Sequence, residues 1–206
     1  MKRLILVALV VCCVGVAMPG MASAAVFLGF DELSHGTVLD TEYAAQGVVF
    51  SNSHGNLLVS DDTPGPPFTP HMAVIAQNYT QANNKSRATF SVPVTDVSVV
   101  LGDYDADNDY IYLNLYDSTN TWLAGDSDLV PASLWGGITL NAVAPAGTHV
   151  AFAEFWGVGV NNNSVYFDNF RFEVEQQPVI PEPASLIVWS VLGAIGIAVG
   201  WYRRRR

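Results

Sequence analysis

The segment DYIYLNLYD, residues 109–117, alternates in steps of two: Ile111, Leu113 and Leu115 fall on one side, and Tyr110, Tyr112, Asn114 and Tyr116 on the other. An extended strand places residues i and i+2 on one face, so this segment predicts a half-buried β-strand. Short β-rich runs recur around it: VFLGF, GVVFS, NLLVS, MAVIA, RATFSV, DVSVVLG, TWLAG, GITLNAV, HVAFAEFWG and SVYFDNFRFEV. Clusters of Gly, Pro, Asn and Asp separate them, and no long 3.6-residue apolar period or internal repeat interrupts the series. About eleven such strands over residues 25–175 predict an all-β domain, a β-sandwich with two sheets of jelly-roll type. DSTNTW reads as a hairpin turn feeding Trp122 and Leu123. PGPPFTP reads as a surface loop, because proline has no backbone donor for a central strand. One short helix is expected in DTEYAAQG, capped by Asp40 and ended by Gly47.

The two ends of the 206-residue chain have a different composition. Residues 1–24 carry Lys2 and Arg3, then an apolar run from Leu4 to Ala17, then the small residues Ala22, Ser23 and Ala24, which together predict a secretory signal peptide cut after Ala24. Both cysteines, Cys12 and Cys13, lie within it, so the mature chain is expected to use neither disulfides nor thiol catalysis. Residues 176–183 hold three prolines without an apolar period and predict a stiff, extended spacer. Residues 184–202 carry no charge and have the length of one transmembrane helix, with Trp201 and Tyr202 at its far interface. Arg203, Arg204, Arg205 and Arg206 follow and are expected to stay cytoplasmic, which puts the domain on the outer side of the inner membrane.

Between Ala25 and Pro181 only Lys85, Arg87 and Arg171 are basic, against eighteen acidic residues, a net charge of −15. Such a domain repels phosphate backbones, so no nucleic-acid partner is expected.

The order PEPAS, apolar span, terminal arginine cluster resembles the PEP-CTERM sorting signal of Gram-negative bacteria over residues 179–206. Pro181, Glu182 and Pro183 match its motif. The resemblance implies an exosortase partner that cuts near the motif and passes the protein to another anchor, and an association with exopolysaccharide. Location then runs from the inner membrane, with the domain periplasmic, to the cell surface or the extracellular space. The prolines favour an extended backbone of the kind a processing cleft grips. FDEL, YAAQGVVFS, LGDYDADNDYIYLNLYD and VYFDNFRF are together similar to jelly-roll carbohydrate-binding domains. This second resemblance implies a structural calcium near the strand ends, with Asp31, Glu32 and Asp168 as hard oxygen ligands completed by backbone carbonyls.

Other site signals are thinner. Asp103, Asp105, Asp107 and Asp109 alternate in GDYDADNDY, but Asn108 and Asn114 stand where an EF-hand needs Gly and Glu. A polar hairpin turn is the plainer reading, and a calcium loop of another geometry is the alternative. Trp122, Trp135, Trp156, Tyr112 and Tyr116 suit a sugar-stacking platform, although such residues more often serve a core or an interface. His35, His54, His71 and His149 lack zinc spacing, and there is no Gly-x-Ser-x-Gly elbow, so no enzymatic activity is expected. The sequence thus leads to an exported envelope or matrix protein whose acidic β-sandwich is structural or adhesive, with a carbohydrate-binding module as the alternative.

Cleavage near residues 181–184 is expected in a host that has an exosortase, and a full-length membrane form in one that lacks it. Intact-mass measurement of host-derived protein checks this; Arg203 to Arg206 still attached in that host would identify a permanent anchor.

Overall fold

The computed structural model describes residues 23–61, 73–77, 84–103, 108–132, 134, 136–159, 165–175 and 183–205. Residues 22–176 form one compact unit. Its strands among the described residues are β1 (Ser23–Leu28), β2 (Val48–Asn52), β3 (Leu57–Ser60), β4 (Ala73–Ala76), β5 (Ser86–Asp103), β6 (Asp109–Tyr116), β7 (Trp122–Val130), β8 (Gly136–Val143), β9 (Val150–Val158) and β10 (Tyr166–Glu175). All named pairings are antiparallel.

RATFSV and DVSVVLG, expected as two strands, are one strand of 18 residues, β5. Its first part pairs with β2 on one side and β9 on the other, as Arg87 shows by facing both Ser51 and Glu154. Its second part pairs with β8 and β10: Val100 faces Thr139 and Asp168. Pro93 sits at the change-over, where the register with β9 jumps from Thr89 to Val94. A proline cannot donate to a ladder, so it is accommodated where the ladder is already broken and the strand leaves one layer for the other.

The two layers that result are β2–β5–β9–β6–β7 and β8–β5–β10, the latter extended by β1 and by β4–β3 along the other edge of β10. They face each other through phenylalanines. Phe155 of β9 meets Phe167 of β10 edge-on with centroids 4.8 Å apart, and Phe50 of β2 meets Phe170 at 5.2 Å. No ladder joins those strands, so these are contacts across the sandwich, each edge-to-face pair adding about 0.5–1.5 kcal/mol beyond its burial. Ile111, Leu113 and Leu115 of β6 are fully buried in this core, while Tyr110, Tyr112, Asn114 and Tyr116 face outward. The alternation thus has the expected sense.

Local signals resolve in detail. The turn after β6 is built on Asp117, whose Oδ1 accepts from the backbone N–H of Thr119 and Thr121 and from the Thr119 hydroxyl. The helix expected near Asp40 is instead a single 3-10 turn, Ala44–Gln46, with no side-chain cap. Asp40 turns its carboxylate to Thr41. Gly47 does end the element, with a left-handed φ of 93° that favours glycine. The expected cut after Ala24 falls inside β1, whose pairing with β10 continues to Leu28. PGPPFTP lies outside the described residues.

In the other unit, α1 (Pro183–Arg203) is a 21-residue helix. The Arg205 guanidinium lies 3.6 Å from the centroid of the Trp201 ring. Among the described residues no helix is long and apolar enough to cross a membrane, and the side chains of α1 are described only from Trp189 onward. The span expected over 184–202 therefore remains a reading of the sequence. Pro181, Glu182 and Arg206 lie outside the described residues.

Gly102 of β5 faces Gly137 of β8 so closely that a Cβ there would lie 2.2 Å from the Gly136 carbonyl oxygen. Gly102→Ala is expected to destabilise the domain by about 1–3 kcal/mol, because backbone has to move to admit it. A lowered urea midpoint at unchanged slope in fragment 25–175 is the expected result; an unchanged midpoint would show that β5 and β8 separate freely.

Candidate functional site: the outer face of β5, β9 and β6

Strand alternation sets the composition of this face. In β9 the residues turned away from the core are Phe152, Glu154 and Trp156, set between the buried Ala153 and Phe155. Register then places Tyr112 beside Trp156, Asn114 beside Glu154 and Tyr116 beside Phe152. On the other side of Glu154 stands Arg87 of β5.

Two parallel rows cross the strands. In one, Tyr112 and Trp156 stack with centroids 5.0 Å apart and planes 18° apart, and Lys85 Nζ lies 4.3 Å from the Trp156 centroid. In the other, Tyr116 and Phe152 stack at 4.9 Å and 14°, and the Arg87 guanidinium lies 4.2 Å from the Phe152 centroid. The negative face of an aromatic ring attracts a cation, and each such contact contributes about 0.5–1 kcal/mol at a partly exposed site.

Glu154 joins the rows. Arg87 donates to its Oε1 at 2.5 Å and Lys85 to its Oε2 at 3.0 Å. Burial alone would raise the Glu154 pKa; hydrogen bonds and charge from Arg87 and Lys85 override it and hold the carboxyl below its ordinary range. Asn114 donates to the Tyr116 hydroxyl oxygen at 3.5 Å and accepts from the Trp122 indole at 3.3 Å. Trp122 and Tyr110, at 58% and 56% exposure, are the open rings beside the rows.

A cleft of about 280 Å³ adjoins the face on the β2 side, lined by Ser51, Asn52, Ser53, Lys85, Arg87 and Glu154. A second hollow, against Trp156, has only about 20 Å³, room for a water and too little for a sugar.

Of the aromatic residues singled out in the sequence, Tyr112, Tyr116, Trp156 and Trp122 share this one face; Trp135 lies outside the described residues. Sequence reasoning missed Phe152, Glu154, Asn114, Lys85 and Arg87. The alternation of FAEFW and the closeness of two of the domain's three cations were the signals present.

Of the candidate calcium ligands, one is buried and two are exposed. Asp31 and Glu32 are exposed, and Glu32 Oε1 accepts from the Tyr43 hydroxyl at 2.6 Å. Burial, then that carboxylate, pushes the Tyr43 phenol far up. Asp168 is fully buried in β10, and its Oδ1 accepts from the Asn169 N–H at 2.6 Å. Among the described residues no group of three acidic, histidine or cysteine side chains is placed to hold a metal ion. In GDYDADNDY, Asp105 and Asp107 lie outside the described residues, and Asp109 is buried at the start of β6. His35 contacts Asp61 at 2.7 Å, His149 contacts Glu175 at 3.3 Å, and His54 contacts Ser53 at 2.9 Å, three separate places.

No family model and no curated protein matches this chain. Among solved structures it is similar to an arabinose-bound GH51 α-L-arabinofuranosidase, with a TM-score of 0.50 and 14% identity over 75% of this chain and 27% of that one. It spans little more than a quarter of that enzyme's length, and the likeness is one of fold. Weaker likenesses are to a DUF4465 family protein from Bacteroides caccae (TM-score 0.47, 8% identity, 74% of this chain and 100% of that one). A further one is to the CBM22-1 xylan-binding domain from Paenibacillus barcinonensis Xyn10C (TM-score 0.46, 12% identity, 77% and 100%). Fold and face together define an antiparallel β-sandwich that carries a polar-aromatic outer surface on one layer.

Because the Glu154 pKa is depressed, its stabilising contribution is complete above the unfolded carboxyl value of about 4.3 and is lost as pH falls through the folded value. Glu154→Gln is expected to cost about 1–2 kcal/mol at neutral pH, and less as pH drops below about 4. Denaturation of both forms across pH checks this; a gap independent of pH would mean that packing, not charge, is what Glu154 supplies.

Proposed function

We propose that residues 25–175 form a carbohydrate-binding module, exported and held at the outer side of the inner membrane by the segment that follows. The observation that supports the reading is the pair of stacked aromatic rows on a solvent-facing sheet, with Glu154, Asn114, Lys85 and Arg87 between and beside them. A sugar ring offers C–H faces and a fringe of hydroxyls, and aromatic rings next to fixed hydrogen-bonding groups match both. Trp122 and Tyr110 give the ligand open ring surface. Binding rather than hydrolysis suits the electrostatics: a carboxyl held ionised by two cations is not the raised-pKa acid that glycoside hydrolysis needs. The structural or adhesive role expected from sequence is compatible, since a module that grips polysaccharide is adhesive within a matrix.

The remaining assignments extend the proposal to the chain ends. Residues 1–24 direct export, residues 184–202 span the inner membrane, and Arg203 to Arg206 stay inside. Pro181, Glu182 and Pro183 present the chain to an exosortase, which moves the module to the surface or the surrounding exopolysaccharide. The resemblance of the tail and its charge order support this reading.

Affinity electrophoresis of fragment 25–175 through gels holding soluble polysaccharides tests the module. Retardation is expected by at least one polymer, and Trp156→Ala should weaken it by about tenfold or more, the usual effect of losing a buried aromatic anchor. Val143→Ser, an exposed change in β8 of the other layer, should leave it intact. No retardation of the wild type in any gel would remove the proposal, and equal retardation of wild type and Trp156→Ala would place the binding site elsewhere on the domain.

A further inference from the structure

We propose that the cleft over Lys85 and Arg87 receives the carboxylate of a uronic acid residue, so that the polymer bound is an acidic polysaccharide. The inference rests on the carbohydrate-binding reading and names its ligand class. Positive charge is scarce in this domain and concentrated in one place. Between Ala25 and Pro181 there are three basic residues, and two of them line one cleft in which Glu154 is the single carboxylate among the described residues. One cation would neutralise Glu154; the second leaves the cleft with a net charge of +1 in a domain of net charge −15.

The N–H groups of the two cations also outnumber the bonds they give to Glu154. A guanidinium has five N–H groups and an ammonium three. Arg87 reaches Glu154 through one terminal nitrogen, and Lys85 gives it one contact. Their side chains keep 42% and 33% exposure on the cleft wall, whereas Glu154 keeps 13%. The carboxylate is thus the more covered group and the two cations the more exposed ones. Ser51, Asn52 and Ser53 complete the lining with hydroxyl and amide groups, the partners that the hydroxyls of a sugar ring require. A volume of about 280 Å³ has the scale of one sugar unit, and Lys85, Arg87 and Glu154 belong both to its lining and to the aromatic rows where the rest of a chain would lie. Long-range repulsion from the acidic surface does not prevent this, because charges are screened beyond about 8 Å at physiological salt while a contact pair is not.

The test is calorimetric titration of the full chain in detergent with matched oligosaccharides. Cellohexaose is compared with its C6-carboxylate counterpart, and xylohexaose with the same chain bearing glucuronate branches. The acidic member of at least one pair is expected to bind about tenfold tighter, the scale of one charge-assisted hydrogen bond. Arg87→Gln should abolish that advantage, and Lys85→Arg should keep it. Equal or weaker binding of both acidic members overturns the inference while leaving the module reading in place. Binding of neither pair also overturns the inference, and the module reading then stands or falls on the gel retardation. Should Arg87→Gln fail to fold, the wild-type comparison alone decides.

Discussion

The sandwich depends on β5 being hydrogen-bonded into both layers. An 18-residue strand that changes neighbours midway commits β2 and β9 to one sheet and β8 and β10 to the other. Pro93 fixes where the change occurs, because it can give no hydrogen bond to either ladder. The Phe50, Phe155, Phe167 and Phe170 cluster then fills the space that the divergence creates. The start of the same strand carries Arg87, and Lys85 just precedes it, so the element that defines the layers also delivers the cations to the outer face.

On that face, Glu154 balances opposing terms. Taking a carboxylate partly out of water is unfavourable, and the two cations offset the cost only because strand register brings them to it. The cations in turn lie over the rings of Trp156 and Phe152, which also stack on Tyr112 and Tyr116. Each contact is modest, but they share atoms, and the rows and the ion pairs hold one another in place. A surface built in this way is ordered before any ligand arrives, which lowers the entropy lost on binding.

Much of this was legible in the sequence, and the illegible part has identifiable causes. The period of DYIYLNLYD separates the two sides of β6 without any structure, because strand geometry puts residues i and i+2 on one face. The hairpin at Asp117 follows from turn chemistry alone. By contrast, RATFSV and DVSVVLG read as two strands because a proline normally ends one, and only long-range pairing shows that it marks a crossing between layers. The short helix near Asp40 loses to tertiary contacts: Phe50 N–H donates to the Asp40 carbonyl, and Tyr43 enters the aromatic core. The aromatic residues looked more like core than platform, since sequence gives a strand's alternation but not which side another sheet will cover. Glu154 could not be singled out among eighteen acidic residues until register set Arg87 and Lys85 against it. Asp31, Glu32 and Asp168 were joined by resemblance alone, and sequence could not tell that Asp168 is buried while the other two are exposed.

The central claim is that the outer face of β5, β9 and β6 is where the polysaccharide binds. The most direct measurement is a nuclear magnetic resonance titration of isotope-labelled fragment 25–175 with a polysaccharide oligomer that the protein retains. The account predicts the largest shifts at the indole N–H of Trp122 and Trp156 and at the backbone amides of residues 110–116 and 152–158. Shifts confined to β1, β8 and β10, with β6 and β9 unmoved, would contradict it.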